Sequence, residues 1–293
     1  MENLTLKAIY VHIDYKKLPY GHEFTPNQWV FEQIPPYAQI SIDQTKKYLN
    51  TEPIILSNDY INNYIREESI EFYRKCKEYY TPLVWCPFWY TSLFRLFVLY
   101  TYCRDNNIEK FIHLEYDNLV YSDFKHLDSL PPSIYFTRVG YQIASAGFVY
   151  CNSLEYFTKF NKCLDQLLTK SYSHVMQATK YPHLSEMQLI DIIYNYKPGT
   201  IDYLPTLPFE PSNDNFDKTG TLFDGASYGQ HLGGTNHNQP PGYADEVHYS
   251  GAAIIHNKIK VIFDKVPYVI YNDNKIPICN LHIHSKKLEN FIC

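Results

Sequence analysis

Apolar residues in this chain come in short blocks that switch between two periods. Lys7–Ile13 is a continuous apolar run of the kind a strand buried on both faces uses. The segment from Pro35 to Leu49 predicts a helix, Glu52–Ser57 a second strand, and Ile65–Tyr80 a charged helix. Pro82 and Pro87 interrupt the aromatic run Trp85–Tyr90, which reads as a loop. Ser92–Cys103 then carries apolar residues at 93, 96, 97, 100 and 103, a helical stripe. Lys110–Leu114, Ser133–Arg138 and Ala146–Cys151 are strand candidates. Asn152 and Glu155 have capping-box spacing before a helix with apolar positions 154, 157, 164, 167 and 168. A second box, Ser185 with Gln188, stands between Leu184 and Leu189, placed as a hydrophobic staple. Residues 205–250 are rich in Pro, Gly, Asn and Asp and predict a long irregular segment, either functional or disordered at this length, whose many Gly and aromatic residues favour an ordered cover over a site. Ala252–Phe263, Tyr268–Tyr271 and Ile276–Ile283 read as strands joined by turns at Asp264-Lys265 and Asn272-Asp273-Asn274. Strand–helix alternation of this kind predicts an α/β fold, a mainly parallel sheet covered by helices on both faces, with residues 1–293 as one domain.

Composition narrows the function. The hydrophobic share of 45% against 19% charged residues predicts a packed core. A net charge of −5, with 26 scattered Lys and Arg, argues against nucleic acid, which needs a basic face. Seven cysteines without a Cys-x-x-Cys fit reduced thiols in an intracellular protein. The first residues do not read as a signal peptide, and no apolar run is long enough for a membrane span, so the expectation is a cytoplasmic chain.

The candidate chemistry centres on Phe111-Ile-His-Leu-Glu-Tyr-Asp-Asn-Leu-Val-Tyr121. Glu115 and Asp117 stand two apart at the carboxyl end of a strand, so they project from one face. Paired carboxylates suit a hard divalent cation with substrate phosphates, and in open α/β sheets ligands bind at this end of the strands. His282 and His284 share a face if their segment is extended, giving two ligands or one ligand and a support, and Lys286 follows as a cation able to meet phosphate. Glu186 opens a helix, where the dipole favours an acid without any further role. Asp224 either holds a substrate hydroxyl or shapes a turn with Gly225. Arg95 lies off the apolar stripe of its helix and reads equally as a nucleotide contact or a surface charge. The glycines at 225, 229, 233 and 234 lack the G-x-G-x-x-G order, and no G-x-S-x-G elbow is present.

Taken in order, these segments resemble the GT-A glycosyltransferases. Glu115-Tyr116-Asp117 resembles their DxD motif, with Glu in place of the commoner first Asp, and it follows a helix containing Phe94-Arg95. Ala8-Ile-Tyr-Val-His-Ile13 resembles the first strand that meets the nucleotide base. Ser145-Ala-Gly-Phe-Val-Tyr-Cys-Asn152 resembles the strand lining the donor-sugar pocket, and Phe223–Gly234 a loop of some bacterial and viral members. Asn280-Leu-His-Ile-His-Ser-Lys286 resembles the C-terminal His motif. The resemblance implies a GT-A fold and transfer from a nucleotide-diphosphate sugar, a UDP-sugar favoured, to a glycan or other hydroxyl acceptor. It implies Mn²⁺ or Mg²⁺ held by Asp117, His284 and Glu115. It implies donor contacts at Val11, His12, Arg95, Glu115, Tyr116, Asp117, Gly147 and Lys286. Glu186 and Asp224 are its catalytic candidates, Glu186 as base in an inverting reaction. Two rivals remain open: a catalytically silent carbohydrate- or nucleotide-binding relative, and a metal-dependent nucleotidyl or phosphoryl transferase using the same carboxylates.

Overall fold

A computed structural model describes residues 5–24, 33–79, 87–235 and 239–292. The chain starts with β1 (Lys7–Val11), passes through α1 (Ala38–Leu49) into β2 (Ile54–Leu56), and continues as three helices: α2 (Asn58–Tyr64), α3 (Arg66–Tyr79) and α4 (Pro87–Asp105). Next come β3 (Phe111–Leu114), β4 (Asn118–Val120), β5 (Ile134–Gly140) and β6 (Ile143–Cys151). Helices α5 (Leu154–Leu168), α6 (Tyr172–Thr179) and α7 (Glu186–Tyr196) follow, then β7 (Asp202–Leu204). The last part holds α8 (Phe216–Thr219), α9 (Ser227–Gly233), α10 (Tyr249–Ile255), β8 (Lys260–Asp264), β9 (Val266–Tyr271), β10 (Asn274–Pro277) and β11 (Asn280–His282).

The expected mixed, mostly parallel central sheet is present, in the order β2-β1-β3-β6-β5-β7. Strand β1 runs parallel to β2 and β3, and β5 parallel to β7, while β6 is antiparallel to both β3 and β5. The continuous apolar character of β1 follows from burial on two faces. Ile9 joins a core with α3, α4, α5 and α7, whereas Ala8 and Tyr10 on the opposite face pack with Ile112, Leu114 and Phe148. A third core gathers β8, β9, α9, α10 and β11 around Leu119, Tyr228 and Leu281. Among the described residues no helix is long and apolar enough to cross a membrane. The described cysteines, Cys76, Cys103, Cys151, Cys163 and Cys279, are unpaired.

Several local expectations change. Pro87 does not break the chain; it is the first residue of α4, where its missing N–H would have had no helical partner anyway. Pro82, Trp85 and Cys86 lie outside the described residues. Ser57 closes its strand and caps the unforeseen α2, its hydroxyl accepting from the Asp59 N–H at 3.3 Å. The Asn152/Glu155 box does not form, because the Asn152 amide is spent on the Ser133 N–H and the Leu130 and Pro131 carbonyls. Glu109 caps α5 instead, accepting from the Leu154 N–H at 2.9 Å. Ala252–Phe263 divides into the end of α10, a bend and β8, since a short apolar run fits a buried helix as well as a strand. Ile276–Ile283 likewise divides into β10 and β11, which join different sheets. The described residues of 205–250 include α8 and α9 and contribute Leu207, Leu222 and Tyr228 to the third core.

Candidate active site

Strand β3 stops at Leu114, and the chain turns through Glu115 and Asp117 straight into β4. The turn is held by the Glu115 N–H on the Gly147 carbonyl and by the Asn118 N–H on the Glu115 carbonyl, both at 3.0 Å. One edge of β4 is taken by α1, where Ser41 and Gln44 donate to the carbonyls of Asn118 and Val120. Its other edge pairs antiparallel with β11 and sets His282 opposite Asn118. This pairing carries a histidine from near the end of the sequence onto the acidic turn.

The His282 imidazole completes the group. Its Nδ1 lies 3.0 Å from the Gly225 carbonyl, which can only accept, so Nδ1 carries the proton. Nε2 is thereby turned to the carboxylates, 3.2 Å from Glu115 Oε2 and 3.3 Å from Asp117 Oδ2. One donor atom from each of Glu115, Asp117 and His282 falls within 4.8 Å of the others. Two carboxylate oxygens and an imidazole oriented by a backbone carbonyl are a donor set that fits a divalent cation of the Mn²⁺ or Mg²⁺ class. Gly147 faces this cluster: a Cβ there would stand 2.9 Å from His282 Cε1 and 3.0 Å from Glu115 Oε2, so any side chain would crowd it.

Two further cations close around the carboxylates. Arg95, on α4, pairs with Glu115 Oε1, and Lys286 pairs with Asp117 Oδ2. Burial opposes ionisation of both acids. Arg95 and His282 nevertheless hold Glu115, and His282 and Lys286 hold Asp117, well below the ordinary carboxylate range. The same carboxylates hold the His282 imidazole well above its ordinary value, against the pull of burial. Arg95 uses the oxygen of Glu115 that faces away from His282. Lys286 uses the oxygen of Asp117 that faces it, so only Lys286 stands where a cation would.

Glu186 is the first residue of α7, and the Ser185/Gln188 capping box forms as expected. The residue lines the site, and among the described residues none bonds its buried Oε2. Burial, partly countered by Arg95, pushes its carboxyl up to about 7. An acid poised there can exchange a proton at neutral pH, a property its helix-start position alone does not give.

These groups line one cleft of about 460 Å³ at the carboxyl ends of β1 and β3. Val11, His12, Arg95, Glu115, Tyr116, Asp117, Gly147, Glu186, His284 and Lys286 all face it. Asp224 does not. It is 1% exposed and accepts from the N–H groups of Ala226, Tyr228, Gly229 and His282, between 2.7 and 3.0 Å. All four bonds are to backbone, so Asp224 anchors the loop and the His282 main chain, and it has no lone pair directed at the cleft. The fit is close enough that a Cβ on Gly229 would meet the His282 carbonyl at 2.1 Å.

The two histidines are placed differently from the expectation that His284 joins Glu115 and Asp117. His282 holds the cluster position. His284 lies beyond the end of β11, its ring centroid 4.4 Å from that of His282, with Nδ1 2.8 Å from the Gln230 amide. Burial and the neighbouring His282 push its imidazole down to about 3. Sequence reasoning missed three other walls: Tyr37 near Lys286, Phe88 with Ser92 before Arg95, and His248. Only the Phe88/Ser92 spacing on one helix could have signalled its place.

No protein-family model and no curated protein matches the sequence. Among solved structures, the chain is similar to mouse xyloside xylosyltransferase 1, an apo crystal structure, at 10% identity and a TM-score of 0.41. The match covers 68% of this chain and 85% of that one. A likeness of this size is distant and says nothing about substrate.

Proposed function

We propose that this chain is a metal-dependent glycosyltransferase that takes a sugar from a nucleotide-diphosphate donor and places it on a hydroxyl acceptor. The observation that carries the reading is the convergence of Glu115, Asp117 and His282, with Lys286 and Arg95 around them and Glu186 beside them, at the strand ends in one cleft. Glu115, Asp117 and His282 would hold Mn²⁺ or Mg²⁺. That ion would supply neutralisation of the diphosphate leaving group.

The chain's own groups do the rest. Lys286 leaves Asp117 for the diphosphate, and Arg95 keeps Glu115 ionised and oriented. In the transfer, the acceptor oxygen bonds to the anomeric carbon while the bond from that carbon to the diphosphate oxygen breaks with its electron pair. The hydroxyl proton goes to the carboxylate of Glu186, a residue of the cleft lining whose carboxyl is pushed up to about 7. Val11, His12 and Tyr116, at the β1 side, take the nucleotide; UDP is the first to try.

The test is a screen of nucleotide sugars for Mn²⁺-dependent hydrolysis and thermal stabilisation. The reading expects at least one donor to be hydrolysed only with metal and to raise the melting temperature. Stabilisation without hydrolysis would point to a silent binder, and phosphorylated or nucleotidylated product would point to phosphoryl chemistry.

A further inference from the structure

Helix α4 presents one continuous edge to the cleft. Phe88, Thr91, Ser92 and Arg95, at helical spacings of three, four and seven, all line it. Arg95 marks the inner end, on Glu115. Seven residues of helix place Phe88 about 10 Å further out at 1.5 Å per residue. Helix α7 touches α4 and contributes Glu186 and Met187 to the same cleft. Glu186 and Met187 from α7 therefore share one cleft with the Phe88-to-Arg95 edge of α4.

Its chemistry is distinct from that of the cluster. Phe88 is 37% exposed, a large aromatic left uncovered in a cleft wall, and its edge-on contact with Trp89 at 4.9 Å fixes its ring. Thr91 has turned its hydroxyl back to the Pro87 carbonyl at 2.7 Å. Among the described residues lining the cleft, Arg and Lys are represented by Arg95 and Lys286 alone, each already on a carboxylate. An occupant seated along the α4 edge would meet Arg95, already on Glu115, as the one Arg or Lys of that edge, and would face Glu186, so an acidic group there is poorly matched. An uncharged ring with one apolar face and hydroxyl edges would meet an aromatic platform and polar groups where it needs them.

We propose that the α4 edge is the acceptor seat and that the acceptor is an uncharged sugar, its ring against Phe88 and its reacting hydroxyl at Glu186. This rests on the transferase reading and adds the class of acceptor to it. The experiment measures dissociation constants for methyl glucoside, methyl galactoside and methyl xyloside, and for the matched methyl glucuronide and galacturonide. Binding is followed by ligand-observed NMR on the full chain with UDP and Mg²⁺.

At least one neutral glycoside is expected to bind, its uronide at least tenfold more weakly. Phe88→Ala should weaken the neutral ligand roughly threefold to tenfold, the worth of one aromatic contact. Phe88→Trp should retain it. Equal affinity for neutral and acidic glycosides, no binding of either, or no effect of Phe88→Ala overturns the acceptor seat. Absence of binding and hydrolysis for every nucleotide sugar overturns the transferase reading separately.

Discussion

Two buried aspartates flank His282 and could hardly be used more differently. Asp224 reaches its backbone N–H with Oδ2, and four main-chain donors saturate its carboxylate. Asp117 faces its ring and is met by charged side chains, His282 Nε2 and Lys286 Nζ. Backbone donors cannot leave without unfolding the loop that carries them. Side-chain cations can move, and an incoming ion can take their place. The comparison separates a carboxylate that fastens the structure from one that is available for exchange, although both are 5% exposed or less.

The sharpest way to break that contrast is at Asp117. Asp117→Asn is expected to lower metal-dependent donor turnover by about 10³-fold or more, with the melting temperature changed by only a few degrees. Turnover assays beside thermal unfolding check this, and an active Asp117→Asn enzyme would remove the central argument. Asp224→Ala should behave in the opposite manner. It strands several buried N–H groups and is expected to cost about 3–5 kcal/mol of stability, read by urea unfolding. If that variant stays as stable as the parent while losing turnover alone, Asp224 belongs to the chemistry after all.

The histidines give the next contrast. His282→Ala is expected to weaken Mn²⁺ binding about 10- to 100-fold, measured by electron paramagnetic resonance of the free ion, and His284→Ala much less. A larger effect from His284→Ala would restore the family-based assignment over the observed geometry.

Glu186 provides the smallest and most quantitative effect. Its folded pKa of about 7 lies above the ordinary 4.5, so the folded state binds the extra proton more tightly than the unfolded one. The associated stability is present below about pH 4.5 and is lost as pH rises through about 7. The total is at most about 3 kcal/mol. Glu186→Gln should flatten this part of the pH–stability curve, as urea titrations at several pH values would reveal. A curve unchanged in slope would place the Glu186 carboxyl at its ordinary value and weaken its claim as a base.

The legible parts of the site are those whose partners are close in sequence. Glu115 and Asp117 announce themselves because two-residue spacing at a strand end is a local fact, and the Ser185/Gln188 box is equally local. The roles of His282 and His284 depend on where β11 stops and on which edge of β4 it finds, neither of which is encoded within that segment. Asp224 was left with two readings, a substrate contact or a turn with Gly225, for a related reason: main-chain N–H groups have no letter in a sequence, so a carboxylate that serves them looks like any other acid. The fold followed the same rule. Five of the six central strands could be read from their apolar runs, while the short β7 (Asp202–Leu204) was not, and the Asn152 cap was lost to Ser133 and Glu109, partners in other segments.

The seam between β4 and β11 has a consequence for how the molecule comes together and apart. Asn118 and Asn280, joined side chain to side chain at 2.7 Å, stand 162 residues apart, and Asp117 and Lys286 stand 169 apart. Only three residues on each side form the seam. Closing such a distance is entropically slow, and so brief a ladder is readily reopened. The cation pocket is therefore a late-assembling and early-failing part of the protein. Under rising denaturant, amide exchange at Leu281 should run ahead of the melting of β1, β3 and β6, so the acidic cluster comes apart while the sheet still stands.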